Sequence, residues 1–390
     1  MSSNSESTVS HPTRRRFLQA TAATAAGCCL LRRASGAAPA INVIETKVIS
    51  VEPHLYHGWP TLAQRTDGEL LLVWSGGREA HVCPFGRVDW MRSTDEGKTW
   101  TWPRTLIDGP SDDRDAGVVE TADGSILVTT FTSVAWESVF AKSVDRDDDR
   151  HHRWEAAAAR LTPEERQAEL GTWMIRSTDG GINWSERYRV PVNSPHGPVR
   201  LDDGRLLYAG KQLWEAVARV GVSISSDDGV SWGAVIEIPA REGDDFNNYH
   251  ELHAVQAGDG RIIVQIRNHN SRNERETLQT HSDDGGQTWV VPYSIGVWGL
   301  PSHLLRLRDD RLLMTYGHRR APLGNQARVS DDGGRTWSDP VNVSGDGASG
   351  DLGYPSTVEL SDGSLLSVWY EKLADSPQAV LRQARWRLEG

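Results

Sequence analysis

The chain has 390 residues, 38% of them hydrophobic, with 37 glycines and 16 tryptophans against 5 phenylalanines and 8 tyrosines. No uninterrupted apolar run reaches the roughly 20 residues that a bilayer-spanning helix needs, and the formal charge of −11 argues against a nucleic-acid partner held through its phosphates. Three cysteines, Cys28, Cys29 and Cys83, are too few for a disulfide scaffold or a cysteine-based zinc site.

In chain order the first feature is an address. Thr13-Arg14-Arg15-Arg16-Phe17-Leu18-Gln19 is similar to the twin-arginine export motif. A mildly apolar stretch from Phe17 to Leu31 follows, then Ala38-Pro39-Ala40, which fits a small-residue cleavage site. Residues 1–40 are therefore expected to be a signal peptide, and 41–390 an exported protein of the periplasm or extracellular space. Cys28, after Ala26-Gly27, offers lipid attachment as the alternative. With the leader removed Cys83 stands alone and forms no intramolecular disulfide.

Two repeats then interleave. The first is a turn followed by an apolar run, led by Asp67, Asp123, Asp203, Asp259, Asp310 and Asp362, with gaps of 56, 80, 56, 51 and 52 residues. Asp-Gly between alternating runs is a strong hairpin signal, so six hairpins are expected. The second repeat is Ser-x-Asp-x-Gly-x-x-Trp at Ser93–Trp100, Ser177–Trp184, Ser225–Trp232, Ser282–Trp289 and Ser330–Trp337. Its Asp caps loop amides, its Gly permits positive φ, and its Trp packs between sheets. The second copy trails its hairpin by far more than the others. The surplus coincides with residues 141–170, where Thr162-Pro163-Glu164-Glu165 reads as a helix start. A unit of roughly 50 residues repeated six times predicts an all-β, six-bladed β-propeller. It carries a partly helical insertion in the second blade, and a strand from Val43–Val51 closes the ring.

Strand logic locates the working face. If each Asp-Gly turn joins inner strands A and B, the start of A and the end of B meet at the opposite rim. Seven to ten residues before each leading Asp lie His57-Gly58-Trp59, Arg114-Asp115, Pro195-His196, His250-Glu251, Ser302-His303 and Gly353-Tyr354-Pro355. The B-strand ends supply Arg78, Lys211, Arg267, His318-Arg319-Arg320 and Tyr370-Glu371. Convergence of ionisable and aromatic groups in one concavity marks a binding or catalytic site. His57, His196, His250 and His303 suggest imidazole that binds or protonates substrate. No two of them stand at metal-ligand spacing with a third partner, so no metal and no cofactor are expected.

The five Ser-x-Asp turns are Asp boxes, and the chain from about residue 43 onward resembles the sialidase (neuraminidase) superfamily of BNR-repeat proteins. Leu352-Gly353-Tyr354-Pro355-Ser356-Thr357 resembles the segment whose Tyr attacks the anomeric carbon, which implies Tyr354 as nucleophile. Asn248-Tyr249-His250-Glu251-Leu252 resembles the segment of the Glu that takes its proton, which implies Glu251. Gln265-Ile266-Arg267-Asn268 is similar to the strand end of one carboxylate-binding arginine. The family's first-blade Phe-Arg-Ile-Pro is replaced by His57-Gly58-Trp59-Pro60, so one arginine of its triad is absent. Another falls near Gly324 or Asn325, with Arg319 and Arg320 close by. Glu79, His81 and Asp89 are the choices for the acid/base. The resemblance implies an exo-α-sialidase-like glycosidase, expected with the leader and the charge pattern to be exported, monomeric and active on an anionic glycan, and the axial ring adds Arg78, Arg114, Asp115 and Trp59 at the substrate. A polysaccharide lyase and a non-catalytic glycan-binding propeller are the alternatives.

Overall fold

A computed structural model describes residues 38–143, 148–215 and 217–389. The twin-arginine motif, Cys28, Cys29 and residues 145–147 of the acidic run lie outside the described residues. No helix among the described residues is long and apolar enough to cross a membrane.

The fold is a six-bladed β-propeller, each blade a four-stranded antiparallel sheet. The A strands are Tyr56–Gln64, Asp112–Glu120, Val199–Arg200, Tyr249–Gln256, Ser302–Arg306 and Leu352–Glu359. Neighbouring A strands lie against one another around the axis. The B strands, such as Leu70–Arg78 and Ile262–Asn268, are sandwiched between blades and buried on both faces. They therefore read as continuous apolar runs without alternation. The ring closes where Ala40–Val48 pairs antiparallel with Ala379–Glu389, Val43 facing Trp386. Closure leaves no A-to-D edge exposed across the seam. It also explains why the sixth unit has no Asp box: its C and D strands come from opposite ends of the chain, so no turn joins them.

In the first Asp box Gly97 N donates to Ser93 Oγ (2.9 Å), which donates to Asp95 Oδ1 (2.8 Å); Thr99 donates its N–H and hydroxyl to the two Asp95 oxygens. The pattern recurs in the other four boxes. Gly181 has φ +85°, and a Cβ there would meet Trp90 at 2.5 Å, so only glycine fits. The box tryptophans seal blade to blade: Trp100 Nε1 donates to Gln383 of blade 6 (2.8 Å), and Trp337 Nε1 to Gln279 of blade 4 (3.0 Å).

Two expectations are corrected. The fifth hairpin is led by Asp309, not Asp310. Asp309 Oδ1 accepts from Arg311 N (3.1 Å) as Asp67 Oδ1 does from Glu69 N (2.9 Å), and Asp310 takes the glycine slot at φ +69°. The insertion begins earlier than residue 141, with α1 (Ala135–Ala141) before α2 (Asp149–Ala158) and α3 (Pro163–Glu169), all between Ile126–Ser133 and Gly171–Ser177. Thr162 and Glu165 form the expected capping box, with Pro163 in the first turn. Trp136 and Trp154 bury Cys83 of the blade 1 B–C loop, and Trp154 Nε1 and Arg153 Nε both bind the Glu79 carboxylate. The insertion thus forms a wall behind residues 79–86.

Candidate functional site

With Asp309 in register, the residue eight positions before the leading Asp is Trp59, Asp115, Pro195, Glu251, Pro301 and Tyr354 in blades 1 to 6. Four of these strands break register there, between Gly58 and Thr61, Arg114 and Gly117, Tyr249 and Leu252, and Gly353 and Ser356. Trp59, Asp115 and Tyr354 have φ of +54°, +52° and +53°, a left-handed conformation costing on the order of 1 kcal/mol each in a non-glycine residue. Bulges re-aim side chains, and here a bulge in blades 1, 2, 4 and 6 turns Trp59, Asp115, Glu251 and Tyr354 toward the axis.

Glu251, Arg267 and Tyr354 meet at the centre. Tyr354 Oη donates to Glu251 Oε1 (2.7 Å), and Arg267 Nη1 donates to Glu251 Oε1 (2.9 Å), Oε2 (2.7 Å) and Tyr354 Oη (3.0 Å). Burial works to raise the Glu251 carboxyl, but the Arg267 charge and the Tyr354 hydrogen bond outweigh it and hold Glu251 below its ordinary value. Burial, then the Glu251 charge, pushes the Tyr354 hydroxyl well above its usual range, so the resting nucleophile candidate is neutral. Asp115 shares the layer. Among the described residues no hydrogen bond or ion pair holds its carboxylate. Burial first, then Glu251, pushes it up to about 7.

Around this centre, Trp59 is 1% exposed, set edge-on to Tyr354 (6.4 Å) and covered by Arg114 (4.4 Å) and Arg78 (4.9 Å). It is a wall rather than an open stacking surface. Arg78 is fully buried and forked onto Asp112, so it supports Trp59 without facing the mouth. Arg319 is half-buried and donates to Leu352 O (3.0 Å), two residues from Tyr354, whereas Arg320 is exposed over the Trp298 ring at 3.7 Å. Of the acid/base choices, Glu79 is bound to the insertion. Asp89 is fully buried in blade 1 against Arg87 and Thr105. Only His81 reaches the mouth, its side chain 47% exposed, beside Tyr56, Asp351 and the edge of Trp59.

The histidines divide into three groups. His57 is 1% exposed, bonds Glu52 O (3.0 Å) and faces Trp74, away from the axis. His196 and His303, joined by His253, form a buried floor one layer below, with ring centroids 4.5 to 5.3 Å apart. Burial holds all three neutral, His303 down to about 3. Their rings stack and cross without converging on a point, and no group of three or more His, Cys, Asp or Glu among the described residues is placed to hold a metal ion. His250 remains at the mouth beside His269 (4.7 Å), pulled down to about 4, chiefly by burial. The opposite end of the channel opens as a bowl of about 730 Å³ in whose lining Arg65 pairs with Glu120 and Arg306 with Asp202.

Tyr56, Asp112 and Asp351 were not reached by strand logic. Each stands eleven residues before its leading Asp, one beyond the seven-to-ten window. They form an outer ring, and extending the window by one position finds all three.

A protein of unknown function from Dyadobacter fermentans DSM 18053 is similar in structure with a TM-score of 0.74 at 21% identity, over 90% of this chain and all of that one. Hadza microbial sialidase Hz136 follows at 0.61 and 19%, over 84% of this chain and 65% of that one. The K499G mutant of NanB sialidase from Streptococcus pneumoniae stands at 0.60 and 15%, over 85% and 68%. At such identities the likeness is one of fold. No curated protein sequence matches the chain. Residues 160–366, more than half of the chain, match the family described as a BNR repeat-like domain, and the chain belongs to that family.

Proposed function

We propose that the protein is an exported glycoside hydrolase of the sialidase type, acting as a monomer on an anionic glycan. The observation that carries this reading is the triangle of Tyr354, Glu251 and Arg267, drawn from one hairpin of blade 4 and the first strand of blade 6 and closed by hydrogen bonds of 2.7 to 3.0 Å. A neutral phenol approaches an anomeric centre flanked by a carboxylate with less repulsion than Asp or Glu would meet. Glu251, kept ionised by Arg267, takes the phenolic proton as the bond to carbon forms. Arg267 Nη1 then stabilises whichever oxygen carries the charge.

The anion clamp is Arg267 with Arg114 and Arg319. Arg267 Nε donates to His269 Nε2 (3.0 Å) and Nη1 to Glu251 and Tyr354, while Nη2 has no protein partner among the described residues and is left for a substrate carboxylate. The missing first-blade arginine makes this clamp different from the family triad, so the acidic sugar need not be a sialic acid. The Arg14–Leu18 motif supports export by the twin-arginine route. The test is to incubate the protein with sialosides, uronate-containing glycans and sulfated glycans and to weigh the products. Hydrolysis adds the mass of water across the cleaved bond. Elimination adds nothing and yields an unsaturated, ultraviolet-absorbing sugar, and saturable binding without turnover leaves only a lectin; either result overturns the reading.

A further inference from the structure

A tyrosine nucleophile and its base need a proton donor for the departing oxygen, and two of the three loop candidates are already spent. Glu79 is tied to Arg153 and Trp154, and Asp89 is buried against Arg87. Asp115 stands in the same axial layer as Tyr354, on the nucleophile's side of any sugar bound above it. In-line displacement sends the leaving group to the opposite side, so the donor must come from further out.

The outer ring holds such a group. Asp351 Oδ1 accepts from Tyr56 Oη (3.0 Å) and Tyr370 Oη (3.2 Å) and lies 3.0 Å from His81 Nδ1. An ionised carboxylate is an acceptor only, which favours the tautomer with the proton on Nδ1, and Tyr56 Oη lies 2.8 Å from the same nitrogen. These four residues come from the A and B strands of blade 6 and from blade 1 with its B–C loop. Tyr56 and Asp351 stand three residues before Trp59 and Tyr354, the Tyr56 ring 5.9 Å from that of Trp59. Tyr370 also touches Tyr354, at 5.8 Å between ring centroids, and the Trp59 and His81 ring centroids are 5.0 Å apart. The network engages Nδ1 of His81 and leaves Nε2 without a partner among the described residues, on a ring 47% exposed at the mouth.

We propose that His81, oriented by Asp351, is the acid/base of this site in place of the family's lone carboxylic acid. The inference rests on the glycosidase reading above. In the first half, Tyr354 Oη bonds to the anomeric carbon and its proton passes to Glu251. The glycosidic C–O bond breaks, and the Nε2 proton of the His81 imidazolium goes to the departing oxygen. In the second half, His81 Nε2 takes a proton from water as the water oxygen bonds to the same carbon. The C–O bond to Tyr354 breaks, and the tyrosine recovers its proton from Glu251. One glycoside and one water are consumed, and His81, Glu251 and Tyr354 return to their starting protonation. Asp351 is a positioning residue. It selects the ring orientation that aims Nε2 outward and stabilises the imidazolium.

Leaving-group dependence tests this. A nitrophenolate departs without a proton and an alkoxide does not, so loss of the acid falls on the alkyl glycoside. The probes are the 4-nitrophenyl and methyl glycosides of N-acetylneuraminic acid and of glucuronic acid. In His81→Gln the kcat/KM ratio of nitrophenyl to methyl substrate rises by about 10²-fold or more, the usual size of general-acid assistance. Asp351→Asn moves the ratio the same way by a smaller factor. A merely structural role for either residue lowers both substrates equally and leaves the ratio unchanged, which overturns the proposal. The downfield proton resonance of an Nδ1–H shared with a carboxylate is expected in the wild type and lost in both variants. Its absence from the wild type overturns the His81–Asp351 pairing whatever the kinetics. If the wild type turns over neither substrate class, the glycosidase reading fails along with this one. Turnover with an unchanged ratio sinks this one alone.

Discussion

At the Asp-box rim Asp332 accepts from Ser330, from the N–H groups of Arg335 and Thr336, and from the Thr336 hydroxyl, all within four residues. At the opposite rim Asp351 accepts from His81 and Tyr56, 270 and 295 positions away, and Glu251 from Tyr354, 103 away. Both rims are rich in carboxylates, yet the five Asp-box carboxylates repeat one local solution, while Asp351 and Glu251 take partners from another blade. Local satisfaction holds a turn. Assembly from afar holds a geometry that no single blade determines, and left-handed backbone at Trp59, Asp115 and Tyr354 accompanies it.

The largest effect that separates the rims is on turnover. Tyr354→Phe keeps the ring, and with it the packing against Trp59 and Tyr370, but removes the attacking oxygen. A loss in kcat on the order of 10⁴-fold is expected with the thermal midpoint little changed, since removal of a nucleophile leaves only binding and electrostatic stabilisation. Retained activity would erase the distinction. Glu251→Gln removes the base and leaves Arg267 without its carboxylate, for an expected loss of about 10²- to 10⁴-fold, measured on the same substrate.

Two sets of carboxylates also respond oppositely to pH. Burial raises Asp115 and Asp113 to about 7, so the folded state favours their protonated forms. Their contribution to stability is fully present below about pH 4 and is lost as pH rises toward 7. The carboxylates of Asp95 and Asp179 behave the other way. Burial works to raise Asp95, but the Thr99 hydroxyl and amide with the Ser93 hydroxyl together outweigh it and hold Asp95 at about 2, and the Asn183 backbone and side chain do the same for Asp179. That stability is present above about pH 4 and lost as pH falls toward 2. Asp115→Asn is therefore expected to raise the thermal midpoint by a few degrees at pH 8 and not at pH 4. An equal shift at both values would contradict the burial account. The smallest effect belongs to Asp332→Ala, a loss of about 1 kcal/mol, the cost of a removed cap, seen in urea unfolding with kcat per folded molecule unchanged.

The same contrast decided what was legible in the sequence. The Asp boxes and hairpins could be read because their bonds close within a few residues, so the pattern is printed in the chain. Tyr354, Glu251 and Arg267 could be reached because strand logic carries a fixed offset from each turn to the axis, and the structure brings all three together. His57 entered the same ring by its offset, yet register breaks between Tyr56 and Gly58 and again before Thr61 turn its ring into the wall. Alternation cannot foresee a bulge. Asp351 and Tyr56 were out of reach because their significance lies in each other. The start of α1 was hidden because Val134, Val139 and Phe140 continue the β-like composition of the strand before it. Asp310 misled because it sits where glycine usually does and looks like the residue that leads the turn.

The central claim is that Tyr354 becomes covalently attached to the sugar during turnover. A slow-reacting fluorinated analogue of the acidic substrate, followed by proteolysis and peptide mass mapping, tests it most directly. The account predicts one glycosyl adduct on the peptide containing Tyr354, absent in Tyr354→Phe. An adduct on another residue, or turnover that persists in Tyr354→Phe with no adduct formed, would contradict it.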